Sequence, residues 1–257
     1  MLGKILAFTY RNWIFAKRNL FAFFELLFWP VVSLVSMGLM SGFLKLDQTL
    51  LNFVLTGAIT AGTVQVATLD VAYGLLYDVW SKSIKHTFLA PIEHYHFIIG
   101  SWIVGIIRGV IIFTLMAAFS YYAFGFEIPS LKIALVFMLG VFLNALIMGM
   151  VICFLITLYG QRVEIVAWAF ATLVMLICGI YYPVSQLPPF FQGLAELIPI
   201  TYFLEYFRAG YGFTPVLNHL LLKGFLMSFA YIGLILVAIN WAYQRSRRNG
   251  IIMRLSE

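Results

Sequence analysis

The chain is 257 residues long, 63% hydrophobic and only 10% charged, with a mean hydropathy of +0.99. So few polar side chains cannot cover a water-soluble domain of this size, which excludes soluble enzymes and binding modules and indicates a polytopic membrane protein. The formal net charge of +6 follows from where the basic residues lie along the chain, so no nucleic-acid partner is expected.

Residues 1–20 are too polar to insert. At 100° per residue, Lys4, Arg11 and Arg18 fall on one side and Leu2, Leu6, Trp13 and Leu20 on the other, the pattern of an amphipathic helix lying in the membrane interface. A basic tail ahead of the first span is the plainer alternative. No short apolar core followed by a small-residue cleavage site is present, so no cleavable signal peptide is expected.

About 20 apolar residues are needed to cross the hydrocarbon. Six segments reach that length: 21–44, 50–77, 97–124, 131–159, 163–182 and 219–243. With both termini cytoplasmic, the inner segments carry eleven basic residues (Lys4, Arg11, Lys17, Arg18, Lys82, Lys85, Arg162, Arg245, Arg247, Arg248, Arg254) and the outer ones four (Lys45, Lys132, Arg208, Lys223). That asymmetry places 78–93 inside and the stretch after the fifth span outside. Gly57, Ala58, Ala61 and Gly62 in the second span, with Ala145 and Gly149 in the fourth, form small-xxx-small patterns that let helices pack closely, and Asn144 is placed to hydrogen-bond across them.

Glu25, Asp70 and Arg108 lie in or near the hydrocarbon, where a charge costs at least about 2.5 kcal/mol, so each should face protein or water. At ~1.5 Å per residue, Asp70 sits about 10 Å and Arg108 about 17 Å from the inner ends of their spans, a gap that an arginine side chain spans. An Asp70 to Arg108 pair locking two spans together is therefore expected, ahead of a substrate-binding role for Arg108.

In the inner segment 78–89, Trp80, Ile84 and Phe88 recur at i, i+4 and i+8, as on one side of a short helix. Such a helix projecting from a membrane domain suits a groove on a soluble partner, with Lys82 and Lys85 beside it; an interfacial loop facing lipid is the alternative. Residues 181–210 hold four of the eight prolines, Pro183, Pro188, Pro189 and Pro199, which exclude one continuous helix. Two short amphipathic pieces remain, 190–197 with Pro189 at its first position and 200–209 stopping at Gly210. They are too short to span and too apolar for a wet loop. Broken helices dipping into one face satisfy both limits, provided protein or a water-filled cavity surrounds them; an apolar loop packed on helix ends is the other reading.

Catalytic chemistry finds little support. Gly3-Lys4 is the only Gly-Lys pair and lacks the rest of a P-loop, so the chain does not bind ATP by that route. His94 and His96 point to opposite sides of a helix, Ser101 has no recognisable histidine partner, and no Gly-x-Ser-x-Gly elbow occurs, so neither a metal site nor catalytic residues are expected. Cys153 and Cys178 lie at different depths, which argues against a disulfide.

Two runs resemble the signatures of type-2 ABC exporter permeases. Leu89-Ala90-Pro91-Ile92 with Gly100 and Arg108-Gly109 resembles the run entering their third span. Leu187-Pro188-Pro189-Phe190-Phe191-Gln192-Gly193-Leu194-Ala195, continuing through Ile198-Pro199-Ile200-Thr201-Tyr202 to Arg208, resembles their second signature, between spans five and six. Ile198 stands where many members carry asparagine, and the N-terminal Leu-Gly and Trp pattern of many capsule and O-antigen permeases is missing, which leaves the cargo class open.

The resemblance implies an all-α integral membrane fold: an interfacial helix over 1–20, then a six-span transmembrane domain over 21–257 with a cytoplasmic coupling helix at about 78–89 and two re-entrant outer helices at about 183–210. It implies a plasma (inner) membrane subunit that works with a second copy of itself or a homologous permease and with two copies of a separate ATPase, which would bind ATP and Mg. Trp80, Lys82, Ile84, Lys85 and Phe88 would meet the ATPase. Tyr181, Tyr182, Pro188, Pro189, Phe190, Phe191, Glu205 and Arg208 would form the outer gate. The expected cargo is amphipathic: a lipid-linked glycan, a polysaccharide or a hydrophobic small molecule such as a drug. A proton-coupled secondary transporter using Asp70 or Glu25, and a membrane-embedded enzyme, are the alternatives.

Overall fold

The computed structural model describes residues 2–18, 20–83, 86, 92–159 and 164–248. Among these residues the chain is all helical, without strands, and forms nine α-helices: α1 (Leu2–Arg18), α2 (Leu20–Phe43), α3 (Gln48–Trp80), α4 (His94–Phe124), α5 (Leu131–Tyr159), α6 (Glu164–Ile177), α7 (Pro189–Ala195), α8 (Pro199–Ala209) and α9 (Leu220–Arg248), with a 3₁₀ turn at Val184–Gln186. Four of them, α3, α4, α5 and α9, are long and apolar enough to cross a membrane. The apolar stretch of α2 is the shorter Leu27–Phe43, and α6 has 14 residues.

Helix α3 is the axis of the bundle. It packs against α2, α4 and α5, while α5 in turn carries α8 and α9, and α1 lies on α4. The apolar core divides along α3. Toward the start of α3, Leu55 and Ile59 pack with Phe137, Val141, Phe203 and Phe207; toward its end, Val71, Leu75 and Val79 pack with Phe97, Ile98, Met150 and Ile239. Close approach depends on missing side chains. A Cβ at Gly149 would stand 2.5 Å from Val71 Cβ and 3.1 Å from Thr68 O, so α5 reaches the α3 backbone only with glycine there.

The two ends of the bundle are distinct. At one end, α1 meets the last turns of α3 and the first of α4, and Tyr243 near the end of α9 meets His94, ring centroids 6.2 Å apart. Both termini of the helical assembly therefore lie at this near end. At the far end, the short connections after α2 and α4 gather with residues 178–219. Gln48 Nε2 donates to Gly125 O at 2.5 Å, Glu127 N to Asn52 Oδ1 at 3.2 Å, and Tyr211 Oη to Glu127 O at 2.5 Å. Burial pushes the Tyr211 phenol above its ordinary range, which keeps it a donor to that carbonyl.

Two boundaries differ from the sequence expectation. The fifth apolar segment, expected to run to 182, stops as helix at Ile177, because Gly179 takes a left-handed φ of 72° and turns the chain back. At the inner segment, α3 runs unbroken to Trp80, and the chain turns away from the helix at Lys82, whose φ is 56°. Trp80 is thus the last residue of a 33-residue helix and not part of a separate helix starting at Asp78. Its ring packs edge-on against Tyr77, centroids 5.7 Å apart. Ile84, Lys85 and Phe88, the rest of the expected coupling face, lie outside the described residues, as does the side chain of Glu25.

Candidate functional site

At the near end, a polar joint ties α1 to α3 and α4. Arg11 donates from Nη1 to Asp78 Oδ1 at 2.7 Å and from Nη2 to Gly74 O at 3.0 Å, and its guanidinium lies 4.6 Å over the Phe8 ring. One helical turn governs the rest: Asn12 Nδ2 donates to Ser101 Oγ at 2.7 Å, Ser101 Oγ donates to Phe97 O, and Thr9 Oγ1 donates to Gly100 O at 3.2 Å. Gly74 makes the crossing possible, since a Cβ there would lie 1.9 Å from Ser101 Oγ. Helix α1 is thereby tied to the bundle by polar contacts. Arg11, placed by periodicity on the polar side of an interfacial helix, turns inward because a buried carboxylate and a helix carbonyl offer better partners than water. Asp78 also accepts from Ser83 Oγ at 3.1 Å, so the same carboxylate holds the start of the inner segment. Sequence reasoning missed this joint; its one visible signal was an acidic residue, Asp78, inside a basic inner segment.

Midway along the bundle, Arg108 Nη1 of α4 donates to Asp70 Oδ1 of α3, with the two side chains 5% and 6% exposed. The pair falls where the helical rise places it, and α4 comes close enough because Gly105 lies against the Ala67 carbonyl. Asn144 is buried, but its hydrogen bond goes to Met148 Sδ one turn along its own helix, at 3.2 Å, instead of across to a neighbour. A methionine sulfur within reach on the same face satisfies the amide without a second helix.

The far end holds the remaining predicted residues. Proline begins both short helices, Pro189 at the first position of α7 and Pro199 at that of α8, with Pro188 capping α7. Arg208 of α8 is 2% exposed and donates from Nη1 to Gly179 O at 2.7 Å and from Nη2 to Ile180 O at 2.6 Å. It thereby satisfies carbonyls freed where α6 ends. The Phe53 ring covers its face at 3.6 Å. Glu205, one turn earlier and also buried, accepts from Val216 N at 2.8 Å. Tyr181 Oη lies 3.3 Å from Ser33 Oγ of α2, and Tyr182 Oη donates to Leu176 O. Phe190 (73% exposed) and Phe191 (40%) pack edge to face on α7 and turn away from the core.

Tyr181 and Tyr182 also line a cavity of about 250 Å³ between α3 and α6, where Gln65, Thr68 and Thr172 supply polar groups within an otherwise apolar wall. Such a lining suits a molecule with both apolar and hydrogen-bonding parts. The predicted residues thus fall into three separate places, at the near end, at the middle and at the far end, joined by the length of α3.

Residues 4–211 match the model of the ABC-2 type transporter family. Over 162 residues the chain is 27% identical to the inner membrane transport permease YadH of Escherichia coli strain K12, covering 63% of this chain and 62% of that permease, so it spans a little under two thirds of that relative. A 47-residue segment, 18% of the chain, is 53% identical to an uncharacterized protein of Archaeoglobus fulgidus and covers 73% of it. Matched over most of its length, this chain belongs to the ABC-2 type transporter family, as a membrane permease.

Proposed function

We propose that the chain is the membrane-spanning subunit of an ATP-driven exporter, and that it moves an amphipathic cargo such as a lipid-linked glycan, a polysaccharide or a hydrophobic small molecule. Membership of the ABC-2 family supports an ABC ATPase as the energy-supplying partner. In this reading six segments span the plasma (inner) membrane, with α2 and α6 completing the four longer helices, both termini are cytoplasmic, and the far end faces out. Two permease subunits then pair with two ATPase subunits that hold ATP and Mg.

One observation carries the reading: α3 is a single helix that is fastened at both ends. Over 33 residues, roughly 50 Å, it runs from Phe53 and Gly57, against Arg208 and Ile180, to Gly74 and Asp78, against Arg11. A push on the inner segment at Ser83, Asp78 and α1 reaches the far end through a rigid rod. There it meets α7, α8 and the tyrosines, the proposed outer gate. The cavity between α3 and α6 lies along the same rod, and its mixed lining supports an amphipathic cargo.

The test uses the permease co-purified with its ATPase and reconstituted in vesicles. Trp80→Ala combined with Phe88→Ala should abolish permease-stimulated ATP hydrolysis; unchanged hydrolysis and complex formation would refute the coupling role. Arg11→Ala should reduce ATP-driven transport roughly fivefold or more, a typical coupling loss, while the complex still assembles. Cysteine cross-linking of Phe190 to its copy in the second subunit should block transport and leave ATPase assembly intact. Transport that continues after cross-linking would make α7 a packed cover instead of a gate.

A further inference from the structure

Beneath α8 at the far end lies a cavity of about 220 Å³, lined by Phe53, Ser185, Glu205, Arg208, Phe213 and Thr214 among others. Two of its walls are ionisable groups buried by more than nine tenths, Arg208 at 2% and Glu205 at 7% exposure. They do not pair with each other: no ion pair joins them among the described residues. Arg208 spends one N–H from each Nη on the Gly179 and Ile180 carbonyls, and its buried Nε has no hydrogen-bond partner among the described residues. Glu205 has one oxygen engaged, by Val216 N. A buried guanidinium and a buried carboxylate that act on each other without touching are costly unless something occupies the space between them.

We infer that this cavity is a binding site for a phosphate-ammonium zwitterion. The anionic oxygens meet the unspent N–H groups of Arg208, which suit a multi-oxygen acceptor. The ammonium meets the open oxygen of Glu205, and Ser185 and Thr214 also line the cavity. A plain anion would be repelled by Glu205 and a plain cation by Arg208, so only a ligand carrying both charges is matched at both walls. The Phe53 and Phe213 rings, 5.2 Å apart edge to face, close the apolar side. The volume admits a small head group and no acyl chain. Phosphoethanolamine has this chemistry, whether as a free solute or as the head of a membrane lipid. The inference is independent of transport direction and of the ATPase, and it is read on the permease alone.

The full-length permease in detergent is titrated calorimetrically with O-phosphoethanolamine, inorganic phosphate, ethanolamine and glucose. Saturable binding of phosphoethanolamine is expected, with the three others at least roughly tenfold weaker, the equivalent of one lost charge-assisted contact. Arg208 also fastens the turn after α6, so its replacement tests folding as much as binding. Thr214→Phe, on an exposed connection, fills the cavity instead; it should abolish binding while the thermal midpoint stays unchanged, and Glu205→Gln should weaken phosphoethanolamine but not phosphate. Equal binding by wild type and Thr214→Phe, or glucose or phosphate binding as tightly as phosphoethanolamine, would overturn the proposal. In nanodiscs, heat lost with phosphatidylethanolamine but kept with phosphatidylglycerol identifies the lipid as the source of the ligand. Equal heats in both identify the free solute, and either result supports the site.

Discussion

Replacing Arg108 with alanine is expected to lower the thermal midpoint of the purified permease more than any exposed basic substitution, and Asp70→Ala should do nearly the same. Each change breaks a buried ion pair and leaves the other charge in the bundle, at a cost of about 3–5 kcal/mol. Both side chains are almost wholly buried, at 5% and 6% exposure, so neither water nor lipid head groups can take over. Removing both charges at once should cost less than the sum of the two. The coupling energy of such a contact pair falls at roughly 0.5–3 kcal/mol. The measurement is a double-mutant cycle on thermal unfolding in one detergent, with Arg245→Ala on α9 as the exposed control. Simple additivity would mean that α3 and α4 are held by packing alone and that the pair is incidental.

The Asp70 to Arg108 pair was legible because it depends only on depth: two ionisable residues in neighbouring spans, with one long side chain to close the gap. The two short far-end helices were legible for a similar reason, since Pro189 and Pro199 fix where each can begin. What escaped were contacts whose partner is a backbone group, or a residue in a segment read on its own. Arg208 grips the carbonyls of Gly179 and Ile180, and no sequence pattern marks an acceptor that every residue carries. Arg11 and Asp78 are 67 positions apart and lie in segments read separately, as an interfacial helix and a coupling helix, so their pairing shows only once α1 is folded onto the bundle. Periodicity carried the reading of Trp80, Ile84 and Phe88 across a break that it cannot detect, because the left-handed backbone at Lys82 is set by the end of α3 and not by any glycine or proline. Asn144 shows the reverse error. A buried amide was given to a neighbouring helix when a methionine on its own helix was nearer.

The second large effect is expected at Gly57. A Cβ built there would lie 1.8 Å from the carbonyl oxygen of Ile180, far inside contact distance, and the obstructing atom is backbone. That carbonyl cannot move aside, because Arg208 Nη2 holds it at 2.6 Å and the neighbouring Gly179 is already in a left-handed turn. Gly57→Val must therefore push α3 away from the turn or break the Arg208 contact, and either outcome separates the rod from the far-end helices. Overpacking of this kind typically costs about 1–3 kcal/mol, and with no flexible side chain to yield the upper end applies. Gly193 on α7 supplies the contrast, since nothing lies within 4 Å of its Cβ position. Gly193→Ala should leave the thermal midpoint unchanged or raise it, by up to about 1 kcal/mol of helix propensity. In reconstituted vesicles, Gly57→Val should also lose ATP-driven transport while keeping the ATPase bound, because the near-end joint at Arg11 and Asp78 is untouched. A Gly57→Val protein that melts and transports like Gly193→Ala would show that α3 and the Gly179 turn move independently, and the single-rod account of how the two ends communicate would fall with it.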